Sequence, residues 1–197
     1  MDDRDPDEPP QTAPDRPAGL EDDALERAAL DYLARYAASR RGVERVLTRR
    51  IEKRGRLGAG ETGDARAALT RVLDRLAAQG LLDDRRFAEA RARSLLARGR
   101  STAAIRAALR DKGVDPARAD EAVAGLAEET PSPDLCAAVA LARRRRLGPF
   151  RPQDARAIWR DRDLATMARA GFPRDVACRV VDARDPEALR GAMGDAV

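Results

Sequence analysis

Two adjacent carboxylates in the stretch GLLDDRRFA, residues 80–88, are the side chains best placed in this sequence to do chemistry. Asp83 and Asp84 are of the type that Mg²⁺ prefers, but a hard-cation site usually needs further acids nearby, and Arg85 and Arg86 follow directly. The same pair suits a helix start, because an N-cap carboxylate accepts free backbone N–H groups and the helix dipole favours an acid in the first turn. The sequence therefore predicts a helix cap rather than a metal site.

A glycine-rich stretch, GAGETG at 58–63, matches the G-x-G-x-x-G pattern of dinucleotide-binding loops. That chemistry needs a strand before the glycines and a helix after them, so that the helix N-terminus meets the pyrophosphate. Here a basic helical segment precedes the glycines, and no strand–helix–strand pattern occurs in the chain. We therefore predict a flexible linker.

Other residues that commonly serve catalysis or metal binding are scarce. The chain has no histidine, which removes the most frequent general base and metal ligand. Cys136 and Cys178 have neither metal-site spacing nor the pattern of a disulfide framework, so we predict structural thiols in a reducing compartment. No long apolar stretch and no signal peptide are evident. We expect a cytoplasmic protein with no enzymatic activity, no cofactor and no membrane partner.

Arginine is the remaining candidate for function, since the 38 basic residues include only two lysines. Basic side chains recur on the polar faces of the predicted helices, and on one concave side they would follow DNA phosphates or an acidic protein groove. The alternative is a solvated face with local ion pairs. The scarcity of aromatic residues argues against single-strand binding by base stacking. The candidate partner-binding residues are Arg40, Arg41, Arg45, Arg49, Arg98, Arg100, Arg106, Arg143, Arg144, Arg145 and Arg146.

The segments that must position these arginines have a helical period, and strong helix formers dominate the composition, which predicts an all-α fold. Gly55, Gly113 and Gly171 follow one another at equal intervals of 58 residues, and each ends a predicted middle helix. We expect Gly55 to take the left-handed C-terminal cap. Three tandem three-helix repeats explain this spacing, and such repeats stack into an elongated, curved array.

We place the three repeats at 24–80, 83–129 and 133–185, and the residues after them look frayed. Residues 1–23 contain nine acids and only two arginines, and they are also rich in proline. We therefore predict a disordered acidic tail. Two interpretations of this tail stay open: a solubilising segment, or an autoinhibitory arm that folds back on the basic body.

The large aromatic residues of the repeats are expected in the core. Tyr32 and Tyr36 lie on the apolar stripe of the first predicted helix, and Trp159 is the only tryptophan. Side chains of this size usually contribute to burial rather than to surface contacts.

With these motifs in view, the sequence resembles the RecX family of recombinase regulators. The segment GLLDDRRFAEARARSLLARGRSTAAIRAALRDKGV at 80–114 is similar to the central signature of that family. The segment at 32–55 is similar to the first two helices of the family, and the segments at 137–150 and 165–181 are similar to its third unit. The resemblance covers about residues 24–183.

The resemblance implies a non-enzymatic regulator that lies along the groove of the RecA–DNA filament and damps strand exchange and the SOS response. We expect the protein to be a monomer. The resemblance also implies RecA as the partner and makes contact with the phosphates of single- or double-stranded DNA plausible. It carries no catalytic motif, so Asp83, Asp84 and Phe87 match only as a structural signature. The alternative function is a direct DNA-binding, all-helical transcription regulator with a helix-turn-helix pair.

Overall fold

The computed structural model describes residues 18–56 and 62–193, and every regular element in these ranges is helical. A single 3-10 turn, Gly148–Phe150, interrupts the α-helices. The α-helices are α1 (Ala18–Leu33), α2 (Arg40–Gly55), α3 (Thr62–Ala78), α4 (Asp84–Ala97), α5 (Thr102–Asp111), α6 (Pro116–Glu129), α7 (Pro133–Arg145), α8 (Gln153–Arg169), α9 (Arg174–Val181) and α10 (Pro186–Met193). The predicted all-α class is confirmed.

Three separate hydrophobic clusters divide the described helices into consecutive groups. Unit 1 (α1–α3) buries Leu47, unit 2 (α4–α6) buries Ile105 and unit 3 (α7–α10) buries Met167, each fully buried in the cluster of its own unit. Much of the packing uses alanine, as with Ala88 and Ala92 on α4, which lets the helix backbones approach closely. The tandem helical units are confirmed, with three α-helices each in units 1 and 2 and a fourth α-helix, α10, added in unit 3. The sequence boundaries of the repeats as domains stay a prediction.

The first helix starts earlier than the sequence suggests. Helix α1 begins at Ala18, so the last residues of the predicted tail are helical. Asp22 is buried and accepts two hydrogen bonds from Arg71, at 2.7 and 3.0 Å. These hydrogen bonds, and the positive charge of the arginine, hold the pKa of the Asp22 carboxyl below its usual value. The prediction for residues 1–17 lies outside the described residues.

The last unit is longer than predicted. Helix α10 follows the proposed end of the third repeat, and Leu189 on it is buried in the cluster of unit 3. Asp185 begins α10 by accepting the N–H of Ala188 at 2.8 Å. The expectation of a frayed end is therefore wrong for residues 186–193.

The predicted helix cap at Asp83 and Asp84 is confirmed, with Asp83 as the N-cap of α4 and Asp84 in its first turn. The side chain of Asp83 accepts the N–H of Arg86 at 3.0 Å, and Ser101 and Asp115 cap α5 and α6 in the same way. Asp84 has a second role that its sequence context does not reveal, because it accepts the backbone N–H of Arg40 in unit 1 at 2.7 Å. No cluster of metal-ligating side chains occurs in the described ranges. The glycine-rich stretch lies largely outside those ranges.

Two of the aromatic predictions are wrong. Tyr36 lies beyond the end of α1 and is 58% exposed, while Tyr32 is half-buried with its ring centroid 5.2 Å from that of Tyr36. Trp159 does not join the core of unit 3. The guanidinium groups of Arg151 and Arg162 each lie over its ring, 4.8 Å from the ring centroid, and the residue is half-buried. The tryptophan therefore makes cation–π contacts with charged side chains instead of packing in the core.

The units are joined by the same hydrogen-bonded junction used twice. Between units 1 and 2, the Ser39 hydroxyl donates to the Lys112 carbonyl, and Asp84 accepts the N–H of the residue after Ser39. Between units 2 and 3, the Ser101 hydroxyl donates to the Ala170 carbonyl at 2.8 Å. Asp134 accepts the N–H and the hydroxyl of the residue after Ser101 at 2.7 and 2.8 Å. Each serine thus caps its own helix and also holds the next unit.

Two of the three glycines spaced at 58 residues lie at these junctions, and the third does not. Gly113 and Gly171 have positive φ angles of 81° and 83°, and a Cβ on either would come within 3.0 Å of the preceding unit, at Arg41 or at Ser101. Gly55 has no such role, because it is the last residue of α2 and the C-cap that follows it is right-handed. The predicted left-handed cap at Gly55 is therefore wrong.

The junction predicts a measurable loss of stability for Ser101→Ala. The substitution removes a helix cap and the hydrogen bond to Ala170, which together contribute about 2 kcal/mol to the free energy of unfolding. Urea denaturation should show this loss. Ser132→Ala is the matched control, since Ser132 precedes α7 without making a capping hydrogen bond. Equal effects of the two substitutions would contradict the proposed role of the junction.

The cysteines are both free thiols. Cys136 is half-buried, and desolvation raises the pKa of its thiol. A raised pKa lowers the thiolate fraction at neutral pH, which agrees with a structural residue.

Candidate partner-binding surface

A large groove lies where units 1 and 2 meet. It has a volume of about 1160 Å³ and is bounded by the end of α1 and the start of α2 on one side, and by α4 and the end of α5 on the other. Its lining is strongly apolar and includes Leu30, Tyr36 and Leu81, which are 41%, 58% and 50% exposed. Among the described residues, one other large apolar side chain is exposed, that of Ile158 at 83%. We call this feature the aromatic groove.

Cations outnumber acids along the aromatic groove. Asp83 and Asp111 are the two acidic residues that line it, and the Asp83 carboxylate is already engaged as the cap of α4. The buried Nε of Arg91 has no hydrogen-bond partner among the described residues. The positive potential suits an acidic ligand, and the apolar lining requires that ligand to carry nonpolar groups as well. The cations of the groove are Arg45, Arg49, Arg86, Arg91 and Lys112.

A smaller cleft lies where units 2 and 3 meet. It has a volume of about 210 Å³, and the described residues that line it include four arginines and no carboxylate. We call it the arginine cleft, formed by Arg100, Arg144, Arg145 and Arg169. Arg144 donates to the Arg98 carbonyl at 2.7 Å, and Arg169 donates to the Thr166 hydroxyl at 3.2 Å.

The arginine cleft has the chemistry of an oxyanion site. The guanidinium groups of Arg100 and Arg145 have no ion-pair partner among the described residues, so their donors are available to a ligand. Guanidinium groups form paired hydrogen bonds to phosphate or carboxylate oxygens. Like charges crowded at the mouth of a cleft repel one another until an anion binds. A phosphate of a nucleic acid or a carboxylate of a protein therefore fits this site.

The structure separates the predicted arginines into groups with different surroundings. Arg45 and Arg49 line the aromatic groove, although Arg45 also donates to the Asp111 carbonyl at 3.1 Å and so supports the junction. Arg40 and Arg106 form ion pairs with Asp74 at 2.6 Å and Asp120 at 2.7 Å, as expected for local pairs. Arg100, Arg144 and Arg145 line the arginine cleft. Arg40 and Arg106 line neither concavity, and the same holds for the remaining members, Arg41, Arg98, Arg143 and Arg146.

Several cations at these concavities are absent from the sequence-based candidates, namely Arg86, Arg91, Lys112 and Arg169. For Arg169, the repeat spacing offered a signal that the residue belongs to a junction between units. The interval of 58 residues between Gly113 and Gly171 places Asp111 and Arg169 at equivalent positions, and both line a concavity at the end of a middle helix. The others depend on contacts between units, which the helical period does not report.

Among the described helices, none combines the length and the apolar character needed to cross a bilayer.

Comparison with known proteins gives a consistent result. The domain model described as "RecX, second three-helix domain" matches residues 83–123. The chain is 42% identical over 178 residues to Regulatory protein RecX of Myxococcus xanthus, covering 90% of this chain and 94% of that one. It is 33% identical over 177 residues to Regulatory protein RecX of Halorhodospira halophila, covering 90% of this chain and 98% of that one.

Solved structures show the same fold. The crystal structure of RecX from Lactobacillus salivarius superposes with a TM-score of 0.59 at 20% sequence identity, covering 83% of this chain and 96% of that chain. A second crystal structure, of a regulatory protein RecX, also has a TM-score of 0.59, at 21% identity, covering 84% of this chain and 74% of that chain.

Proposed function

This chain belongs to the RecX family of regulatory proteins, and we propose that it binds the RecA–DNA filament and inhibits RecA in recombination and the SOS response. The observation that carries the proposal is the arginine cleft, which four arginines line and to which the described residues contribute no carboxylate. Such a site accepts a DNA phosphate or an acidic side chain, and a nucleoprotein filament presents both.

The repeated junction supports binding to a repeating partner. Units joined by the same serine and aspartate contacts present one concavity at each junction, so the array offers two contact sites on one chain. Two weak contacts on one molecule raise the overall affinity, because the second contact forms at a high effective concentration. A monomer in the cytoplasm is sufficient for this mode of binding.

Inhibition in this proposal comes from occupancy and not from catalysis. The sequence has no histidine, and the proposed site is made of arginines, which stay protonated and do not act as general bases. A protein that binds one state of the filament more tightly than another shifts the population toward the state it prefers, and the size of the shift is set by the difference between the two affinities.

The proposal is tested by following RecA filament growth and ATP hydrolysis on single-stranded DNA with increasing amounts of the purified chain. We expect both rates to fall as the chain is added. Inhibition at amounts well below one chain per RecA would indicate capping of filament ends, whereas inhibition only near stoichiometry would indicate occupancy along the groove. No change at a stoichiometric excess would contradict the proposal.

A parallel titration with duplex DNA alone distinguishes the proposed RecA regulator from the alternative, a transcription regulator that binds DNA directly. If the chain contacts only DNA phosphates, its affinity for the duplex should fall steeply as salt is raised and should not depend on the DNA sequence. A sequence-selective footprint on duplex DNA would favour the alternative instead.

A further inference from the structure

The aromatic groove has an unusual combination of surface properties for a region open to solvent. Tyr32, Tyr36 and Phe87 bring aromatic side chains to a lining that also carries Leu30 and Leu81. Contiguous exposed apolar surface of this kind marks an interaction site more often than single exposed residues do. The five cations of the groove add a preference for a negatively charged ligand.

The N-terminal segment of the same chain has the complementary chemistry. Residues 1–17 contain six acids against two arginines, together with five prolines. Proline-rich segments favour the polyproline II conformation and dock their rings on aromatic-lined grooves, at a low cost in conformational entropy. The acids of this segment match the cations of the groove, and its prolines match the aromatic lining.

The segment is also long enough to reach the groove. The part of α1 that lines the groove starts at Leu30, about 18 Å along the helix from Ala18 at a rise of about 1.5 Å per residue. Seventeen residues in the polyproline II conformation span about 53 Å at about 3.1 Å per residue. Because the segment is tethered, its effective concentration is in the millimolar range, and a weak intrinsic affinity is sufficient for docking.

We propose that residues 1–17 dock into the aromatic groove of the same chain and act as an intramolecular competitor for acidic partners. The arginine cleft is a poorer site for this segment, because it offers positive charge without an aromatic lining. Docking does not depend on the proposed function. Its regulatory consequence does, since an acidic surface of a filament can enter the groove only after the segment has left.

Photocrosslinking of the full-length chain tests the docking without any partner present. Thr12 is replaced by benzoylphenylalanine, and the crosslinked peptides are mapped by mass spectrometry. We expect crosslinks within one chain, to peptides from 30–39 and 81–94. We also expect the yield to fall at least about fivefold with Tyr36→Asp and Leu81→Asp together, and to fall as salt is raised.

The matched control is Ile158→Asp, which changes an 83% exposed apolar residue outside the groove and should leave the yield unchanged. Circular dichroism establishes that each variant is folded. Arg49→Glu with Arg86→Glu supplies a second groove variant that leaves the apolar lining intact, and it should lower the yield as well. Crosslinks to the arginine cleft, crosslinks scattered over the chain, or covalent dimers in place of intramolecular products would each overturn the proposal. Loss of filament inhibition with intact crosslinking would count against the proposed function alone.

Discussion

Replacing Asp163 with alanine is expected to lower the free energy of unfolding by about 3–5 kcal/mol, the cost of breaking a buried ion pair by removing one partner. The Asp163 side chain is 1% exposed and accepts two hydrogen bonds from Arg151, both at 2.8 Å. It also accepts the Gly148 N–H at 2.8 Å, so the same carboxylate links α8 to the turn after α7. Removal leaves the Arg151 guanidinium and a buried N–H without their acceptor.

Asp161→Ala is the matched control, two residues away on the same helix. The Asp161 side chain is 99% exposed, and its one ion-pair contact with Arg160 is long, at 3.7 Å. Urea denaturation should show a change within about 0.5 kcal/mol for this control. A similar loss of stability in both variants would contradict the assigned role of the buried pair, because the cause would then be a general sensitivity of α8 to substitution.

The same residue should contribute to the pH dependence of stability. Burial raises the pKa of Asp163, but the hydrogen bonds from Arg151 and Gly148 and the positive charge of Arg151 outweigh burial and leave the pKa below its usual value. A group with a lowered pKa in the folded state stabilises the protein above its unfolded-state pKa of about 3.9, and this contribution is lost as the pH falls through the folded-state value. The stability difference between the native chain and Asp163→Asn should therefore shrink below about pH 4.

Reversing two charges in the arginine cleft is expected to weaken binding to the RecA–DNA filament by about 100-fold or more. Arg100→Glu and Arg145→Glu together remove two guanidinium contacts, each contributing about 1.4 kcal/mol or more, and they introduce repulsion toward phosphates. Neither side chain has an ion-pair partner among the described residues, so folding should be unaffected. Binding is measured by fluorescence anisotropy on labelled filaments across a salt series. Where DNA is the ligand, the slope of log affinity against log salt concentration should also become shallower, by the amount expected for the loss of about two phosphate contacts.

Arg66→Glu with Arg118→Glu changes the net charge by the same amount and serves as the control. Both arginines are exposed on α3 and α6 and line neither concavity. Comparable losses for the two double variants would show that overall charge, and not the arginine cleft, determines affinity. Unchanged binding of the cleft variant would remove this site from the proposal.

Much of the local structure follows from the sequence. Asp83, Ser101 and Asp115 could be identified as caps because a cap needs only a suitable side chain beside a helical segment. The helical class follows from apolar periodicity, which reports the face that each helix buries. Both properties are encoded within about one helix length of the residues concerned.

The site could be predicted only in part, because its members come from different units. Periodicity does not specify how one unit is rotated against the next, so the sequence leaves open which arginines converge and which form ion pairs. Arg106 and Arg145 are both candidates from the sequence, yet the first pairs with Asp120 and the second lines the arginine cleft. Asp84 looks like part of one helix start, yet it holds the start of another helix in unit 1. Tertiary packing decided these outcomes, because contacts between units depend on the relative placement of residues that are far apart in the chain.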